Sequence, residues 1–128
     1  MKSEQDQALE MLFLSVKDRL NCDFQTFVNA IKDWEIVPLA QKNEIIGAVM
    51  RKDNEVHIGY GKKPLGSILK HLRKNLIEVI EKYGFAVTVV ASGNQRGLEF
   101  CKRLGFVETK QDNDRIYMKC ERCKYAAT

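Results

Sequence analysis

Residues 84–106, GFAVTVVASGNQRGLEFCKRLGF, decide the fold of this chain. The segment opens with a short apolar run at 86–91, rich in β-branched residues and bounded by turn residues, which is typical of a buried strand. Asn94 follows the run at a position where its side-chain oxygen can cap a helix. Apolar side chains then recur at helical spacing, at Leu98, Cys101 and Leu104. Gly105 suits a left-handed helix stop, so the segment predicts a strand, an Asn-led turn, a short helix and another strand.

The composition indicates a globular protein of one domain. A chain of 128 residues can bury about two-thirds of the surface that its unfolded form exposes. Apolar content of 45% and charged content of 30% are ordinary for such a protein. No apolar run approaches the roughly 20 residues that span a bilayer, and the first residues lack the pattern of a signal peptide. We therefore expect one domain over 1–128 with a loose tail from about residue 120, a cytoplasmic location and no membrane partner.

The charge and the cysteines restrict the partners further. A net charge of +4 permits anionic ligands but does not indicate a nucleic-acid partner. The four cysteines are expected to be thiols in a reducing compartment. Cys120 and Cys123 have the spacing of half a zinc site. The only candidates for the other half are scattered, at Cys22, His57, His71 and Cys101, so we expect no metal and regard the spacing as chance.

The first half of the chain predicts two helices and a meander. An amphipathic helix is predicted over 5–20 from an apolar stripe at Leu9, Leu12, Phe13, Val16 and Leu20. Asp23 can cap a second helix, whose stripe is Phe24, Phe27, Val28 and Ile31. The period then changes, and tight turns separate three predicted strands, at 34–40, 44–51 and 55–60. Pro38 indicates that the first of these strands is not central in the sheet.

The second half predicts the longest helix and a closing hairpin. An unbroken apolar face predicts a helix over 64–83, with Leu65, Ile68, Leu69, Leu72, Leu76, Val79, Ile80 and Tyr83 on it. We expect this helix to pack beside strand 86–91, and that strand to pair with 55–60. A hairpin of 106–110 and 115–119 follows the short helix. The predicted order is α-α-β-β-β-α-β-α-β-β, an α/β (α+β) fold with a mixed central sheet.

This order and these residues resemble the GNAT superfamily, the acetyl-CoA-dependent N-acetyltransferases. In that family a buried strand ends in a loop that carries an Asn, here Asn94, and a short helix follows. The family's helix closes with an aromatic-acidic-basic-Leu-Gly-Phe run, and residues 101–106 read Cys-Lys-Arg-Leu-Gly-Phe. The resemblance covers 5–119, with motif-level similarity in 55–106. The family's first strand is missing, since the sequence starts in a helix.

The resemblance implies a site for the pyrophosphate of acetyl-CoA. In the family, backbone N–H groups between the third of these strands and the long helix hold the pyrophosphate, and the helix N-terminus adds partial positive charge. The family pattern of Gln or Arg, two residues, Gly, one residue, and Gly or Ala places Lys63, Gly66 and Ile68 here. Ile68 would crowd a close approach, and Pro64 lacks a donor. The candidate cofactor residues are Lys62, Lys63, Gly66, Ser67 and Asn94; the alternative is a Gly/Pro turn with solvated lysines.

The resemblance also implies positions for an acid and a base. The family's acid is a Tyr at the position of Cys101, and we expect this thiol to face apolar neighbours, with a raised pKa and low reactivity. Tyr60 and Tyr117 lie elsewhere in the pattern. Base candidates are Glu55 and His57 on one face of their strand, although a half-exposed strand histidine is the simpler interpretation. The basic residues around His71, namely Lys70, Arg73 and Lys74, are interpreted as a solvated helix face.

Two functions follow as hypotheses. The first is an acyl-CoA N-acyltransferase that acts on a small-molecule or protein amine, with catalysis weak or lost because the loop and the Tyr position depart from the pattern. The alternative is a non-catalytic protein on the same fold. The turn-Asn-helix pattern and the altered cofactor loop also resemble GNAT-like proteins of this size among the head-assembly and internal virion proteins of short-tailed phages, which implies protein partners and a place in the host cytoplasm or the virion.

Overall fold

The computed structural model describes residues 2–66 and 69–122, with only the backbone for residues 69–71. Within these ranges it contains helices α1 to α4 and strands β1 to β6, in the predicted order. The helices are α1 (Glu4–Val16), α2 (Phe24–Ala30), α3 (Leu69–Tyr83) and α4 (Gln95–Leu104). The strands are β1 (Glu35–Gln41), β2 (Glu44–Lys52), β3 (Glu55–Tyr60), β4 (Ala86–Ala91), β5 (Val107–Gln111) and β6 (Arg115–Cys120). The predicted α+β class is confirmed.

The strands form one mixed sheet in the order β1-β2-β3-β4-β6-β5. The pairs β1–β2, β4–β6 and β5–β6 are antiparallel, whereas β3 and β4 are parallel, with Glu55 opposite Val87. The predicted pairing of 55–60 with 86–91 is therefore confirmed. Pro38 lies in β1 at an edge of the sheet, as its missing N–H requires.

The described residues divide into two compact units. The first takes 2–52 and 57–66, and the second takes 53–56 and 69–122. In the first unit, α1 packs on β1 and β2, and α2 packs on α1. A buried cluster in this unit contains Ala8, Leu12, Phe27, Ile36, Ile45 and Ala48. The Phe13 ring lies between those of Phe24 and Phe27, with centroids 5.6 and 5.5 Å away.

The caps of the first two helices are local. The Asp23 carboxylate accepts the Thr26 N–H at 2.8 Å, which confirms the predicted cap. Hydrogen bonds from the Thr26 side chain and from its N–H lower the pKa of Asp23. Helix α1 ends at Val16, so the predicted extension to residue 20 is wrong. The N–H groups of Arg19 and Leu20 both close on the Val16 carbonyl, at 2.8 and 3.1 Å. This turn removes Leu20 from the stripe, and its side chain is 41% exposed.

Two glycines let α1 approach β3 closely. A Cβ built on Gly59 would lie 2.5 Å from the Ser15 Oγ, and one built on Gly61 would lie 2.6 Å from the Met11 Sδ. Carbon atoms do not approach such atoms so closely in folded proteins, so larger residues there would push the helix outward. The end of β3 is therefore pressed directly under α1.

In the second unit, α3 packs on β4 through the buried side chains of Leu72, Leu76 and Val79. The predicted start of this helix at residue 64 is wrong, because Pro64 and Leu65 lie outside it. Gly66 has φ +73, which is not helical, and Leu65 is 59% exposed instead of belonging to the apolar face. Ile68, another predicted member of that face, lies outside the described residues.

The ends of α3 and α4 follow the glycines. Gly84, at φ +88, ends α3, and its N–H donates to the Ile80 carbonyl at 2.7 Å. Gly105, at φ +117, ends α4 as predicted. The Phe106 N–H reaches the Cys101 carbonyl at 3.0 Å, and the Gly105 N–H reaches that of Lys102 at 3.1 Å, which together make a Schellman motif. Strand β4 is buried at alternate residues, whereas the sequence predicted burial throughout.

Candidate cofactor and active site

The predicted pyrophosphate loop is the segment 61–66, which follows β3 in the first unit. Its beginning is fixed to β2, because the N–H groups of Gly61 and Lys62 both donate to the Ile46 carbonyl, at 2.9 and 3.3 Å. The side chains of Lys62 and Lys63 are exposed. The loop thus presents two cations at the surface.

The far part of the loop is held by the β1–β2 hairpin. The Leu65 N–H donates to Gln41 Oε1 at 2.7 Å, and Gln41 Nε2 donates to the Leu65 carbonyl at 2.9 Å. Glu44, on the other side of the hairpin turn, forms an ion pair with Lys62. The two residues of that turn, Lys42 and Asn43, have φ of 50° and 65°, which a tight two-residue hairpin turn requires. The tip of this hairpin therefore contacts the loop at two residues, Lys62 and Leu65.

These bonds limit the donors that the loop could offer to an anion. Within the described part of the loop, the N–H groups of Gly61, Lys62 and Leu65 are engaged inside the protein, and Pro64 has none. In the same part of the loop, the N–H groups of Lys63 and Gly66 remain available as donors. Sequence reasoning identified the two lysines and Gly66 but missed Gln41 and Glu44, since no local pattern signals contacts with residues 24 and 18 positions away. Ser67 lies outside the described residues, and its role stays a prediction.

The base candidates both lie in β3 and are half-buried. Glu55 belongs to the second unit, where it is paired with Val87 of β4. His57 belongs to the first unit, and its ring meets the Trp34 ring edge-on with centroids 5.5 Å apart. The amine of Lys52 lies 6.0 Å from the Trp34 ring centroid. The assignment of either residue as a base stays a prediction.

Asn94 caps α4, as the sequence predicted. Its Oδ1 accepts the Gly97 N–H at 3.0 Å, and its own N–H donates to the Ala91 carbonyl at 2.9 Å. A Cβ on Gly97 would lie 2.5 Å from the Asn94 amide nitrogen, so Gly97 is what allows the side chain to fold over the helix start. The oxygen of Asn94 is therefore used for capping, and its predicted contact with a cofactor stays a prediction.

Cys101 is half-buried on α4. Burial raises the pKa of the Cys101 thiol to about 11, and the Cys120 thiol contributes further. Cys120 itself is fully buried at the end of β6. A raised pKa is what the sequence predicted for this thiol, and the assignment of Cys101 to the acid position stays a prediction.

The two tyrosines near the predicted site have different surroundings. Tyr60, in β3, is half-buried, and burial raises the pKa of its hydroxyl above the usual range. Tyr117, in β6, is also half-buried, and Lys110 lies 5.4 Å from its ring centroid. Neither stands at the family's acid position on α4.

The raised pKa of Cys101 predicts slow alkylation that accelerates with pH. Only the thiolate reacts, so below pH 11 the rate should rise about tenfold for each pH unit. We expect iodoacetamide labelling of the Cys101 peptide, followed by mass spectrometry, to show no plateau between pH 7 and pH 9.5. Glutathione in the same tube is the control, because its labelling levels off near its own pKa. A plateau for Cys101 below pH 9 would contradict the raised pKa of this thiol.

No helix in the described ranges is long and apolar enough to cross a membrane. Among the same residues, no group of three or more His, Cys, Asp or Glu side chains could hold a metal ion. Cys123, the second cysteine of the zinc-like spacing, lies outside the described residues.

Several solved structures with a similar fold are acetyltransferases. A GNAT family acetyltransferase from Elizabethkingia anophelis with acetyl-CoA bound has a TM-score of 0.65 and 18% identity, over 88% of this chain and 89% of that one. The PaiA N-acetyltransferase from Thermoplasma acidophilum in complex with coenzyme A has a TM-score of 0.62 and 14% identity, over 94% and 96%. The ribosomal-protein-S18-alanine N-acetyltransferase from Escherichia coli has a TM-score of 0.62 and 16% identity, over 93% of this chain and 89% of that one.

The chain therefore has the GNAT acetyltransferase fold, with a mostly antiparallel six-stranded sheet and four helices in the described ranges. No family model matches the sequence, and no curated protein matches it either. Identities of 14–18% establish the likeness at the level of the fold.

Proposed function

We propose that the protein binds acetyl-CoA through the loop 61–66 and belongs to the acyl-CoA N-acyltransferases by ancestry, with acetyl transfer slow or lost. The observation that carries the proposal is the loop itself. The N–H groups of Lys63 and Gly66 are not engaged by other described residues, and the side chains of Lys62 and Lys63 are exposed. This combination of backbone donors and cations is what a pyrophosphate needs. The fold neighbours solved with acetyl-CoA or coenzyme A support it.

The ion pair of Lys62 with Glu44 makes the two lysines unequal. The Glu44 carboxylate offsets part of the charge of Lys62, and both side chains are about half exposed. Lys63 has no such partner among the described residues. The proposal therefore assigns the main electrostatic contact with the cofactor to Lys63, and the amine acceptor to a small molecule or a protein.

Slow or lost catalysis follows from the acid position. The departing thiolate of coenzyme A needs a proton, and Cys101, a half-buried thiol with a pKa of about 11, stands where the resemblance implies a tyrosine. Glu55 and His57 are the candidates for the base. Holding amine and thioester together would still lower the barrier, which is why slow transfer can remain.

A thermal-shift titration with coenzyme A tests the cofactor site. We expect saturating coenzyme A to raise the melting temperature of the wild type, and the shift to vanish in the double variant Lys63→Ala, Gly66→Val. The valine opposes the left-handed backbone and fills the open space at Gly66. Each shift is measured against the same variant without ligand.

A matched control removes the general effect of such changes. Lys32→Ala, Gly84→Val also replaces an exposed lysine and a left-handed glycine with open surroundings, and it should keep the full shift. A shift that survives in the Lys63, Gly66 variant places the cofactor elsewhere. A wild type without any shift removes the proposal.

The non-catalytic alternative also has specific support. Cys101 at the acid position and Pro64 in the loop favour a fold that has lost its chemistry. The further suggestion of a head-assembly or virion protein of a phage finds no support among the structural neighbours described above. Binding of coenzyme A without turnover on any amine would favour the non-catalytic protein.

A further inference from the structure

We propose that Gln41 is a positioning residue for the cofactor loop: its carboxamide orients the Leu65–Gly66 peptide so that the Gly66 N–H is presented to the pyrophosphate. The inference rests on the proposed function, since it assigns a role within the same site. It begins from two hydrogen bonds that join the end of β1 to a loop 24 residues further along the chain.

Gln41 holds both polar groups of one residue. Its Oε1 accepts the Leu65 N–H at 2.7 Å, and its Nε2 donates to the Leu65 carbonyl at 2.9 Å. The N–H and C=O of one residue point to the same side only where the backbone is extended, as in a residue paired across a sheet. The carboxamide therefore acts on Leu65 as a neighbouring strand would.

These two hydrogen bonds determine the direction of the Gly66 N–H. The described chain contains no cis peptide bond, and in a trans peptide the C=O and the following N–H point in opposite directions. With the Leu65 carbonyl turned towards Gln41, the Gly66 N–H is turned away from it. Gly66 then bends the chain at φ +73, and no atom lies within 4 Å of the position that a Cβ would take there. The Gly66 N–H thus points away from Gln41, and the space beside the Gly66 Cα is open.

A carboxamide suits this role better than other side chains. Gln supplies one donor group and one acceptor and carries no charge, whereas Glu accepts only and Lys donates only. A carboxylate at this position would also add negative charge beside the loop that carries Lys62 and Lys63. Removing the two hydrogen bonds while keeping the length of the side chain separates the bonding from the packing, and Gln41→Met does this.

Hydrogen exchange of the Leu65 amide tests the hydrogen bonds with Gln41 without any ligand. In ¹⁵N NMR spectra we expect the Leu65 N–H to exchange about tenfold faster in Gln41→Met than in the wild type, since one hydrogen bond of ordinary strength is lost. The amide of Val79 in α3 reports global stability and should be unchanged. Equal exchange rates of the Leu65 amide in the two proteins overturn the proposed role of Gln41 in holding Leu65.

Calorimetric titration with coenzyme A tests the role in binding. We expect Gln41→Met to weaken coenzyme A about tenfold, which corresponds to 1.4 kcal/mol. Gln111→Ala, in the exposed strand β5, is the control and should bind like the wild type. Wild-type binding with equal affinity in Gln41→Met overturns the role of Gln41 while leaving the proposed function intact. A wild type that does not bind coenzyme A overturns both.

Discussion

Replacing Gly47 by alanine should destabilise the protein by about 3 kcal/mol, which would lower its melting temperature by about 10 °C. Gly47 is buried in the middle of β2, directly beside the neighbouring strand β3. An added Cβ would lie 2.3 Å from the Gly59 carbonyl oxygen and 2.9 Å from Cδ1 of the Tyr60 ring. The carbonyl belongs to the backbone and cannot rotate away, so β2 and β3 would have to separate.

Thermal and urea unfolding followed by circular dichroism measure this effect. Gly93→Ala is the matched control, because no atom lies within 4 Å of the new Cβ and its backbone is not left-handed. That change should stay within about 0.5 kcal/mol of the wild type. If Gly47→Ala melts at the wild-type temperature, the close approach of β3 to β2 is wrong.

Replacing Cys101 by tyrosine should raise the rate of acetyl transfer by about 100-fold, the lower end of what a positioned acid contributes. The wild-type thiol, with its pKa of about 11, stands where the resemblance implies a phenol that protonates the departing thiolate. The assay follows release of coenzyme A over a broad panel of amines. Turnover that appears only with tyrosine would indicate a fold that retained its cofactor site and lost its acid.

Cys101→Phe separates the hydroxyl from the ring. Phenylalanine adds the same bulk at a half-buried position, so any cost in packing is shared by the two variants, and their melting temperatures should agree. Only the tyrosine variant should gain activity. Robust turnover by the wild type that Cys101→Tyr leaves unchanged or reduces would show that another residue supplies the proton.

Much of the fold could be predicted because its signals are local. The cap at Asp23, the Asn-led start of α4 and its stop at Gly105 each depend on residues within one helical turn. The strand 86–91 was recognised from its β-branched residues, and its pairing with β3 follows from the helix between them, since parallel neighbours need such a crossover. Helix ends were less predictable, because Leu20 and Leu65 continue an apolar spacing that the backbone does not follow.

The candidate site was predicted only in part. Lys62, Lys63, Gly66, Asn94 and Cys101 were identified from their order along the chain and from the family resemblance. Their surroundings could not be identified in that way. Gln41 would be interpreted as a turn residue on any local criterion, and nothing near it in the sequence indicates that it bonds to Leu65.

The sequence by itself determined the order of helices and strands, the caps and the α+β class, because periodicity and capping act over a few residues. Only the tertiary structure decided which backbone donors of the loop remain for an anion and how deeply Cys101 is buried. It also decided which glycines lie against a neighbouring strand or helix. Those properties arise where distant segments meet, as Gln41 and Glu44 meet the loop 24 and 18 residues later. Their energies depend on atoms that folding brings together, so no local pattern contains them.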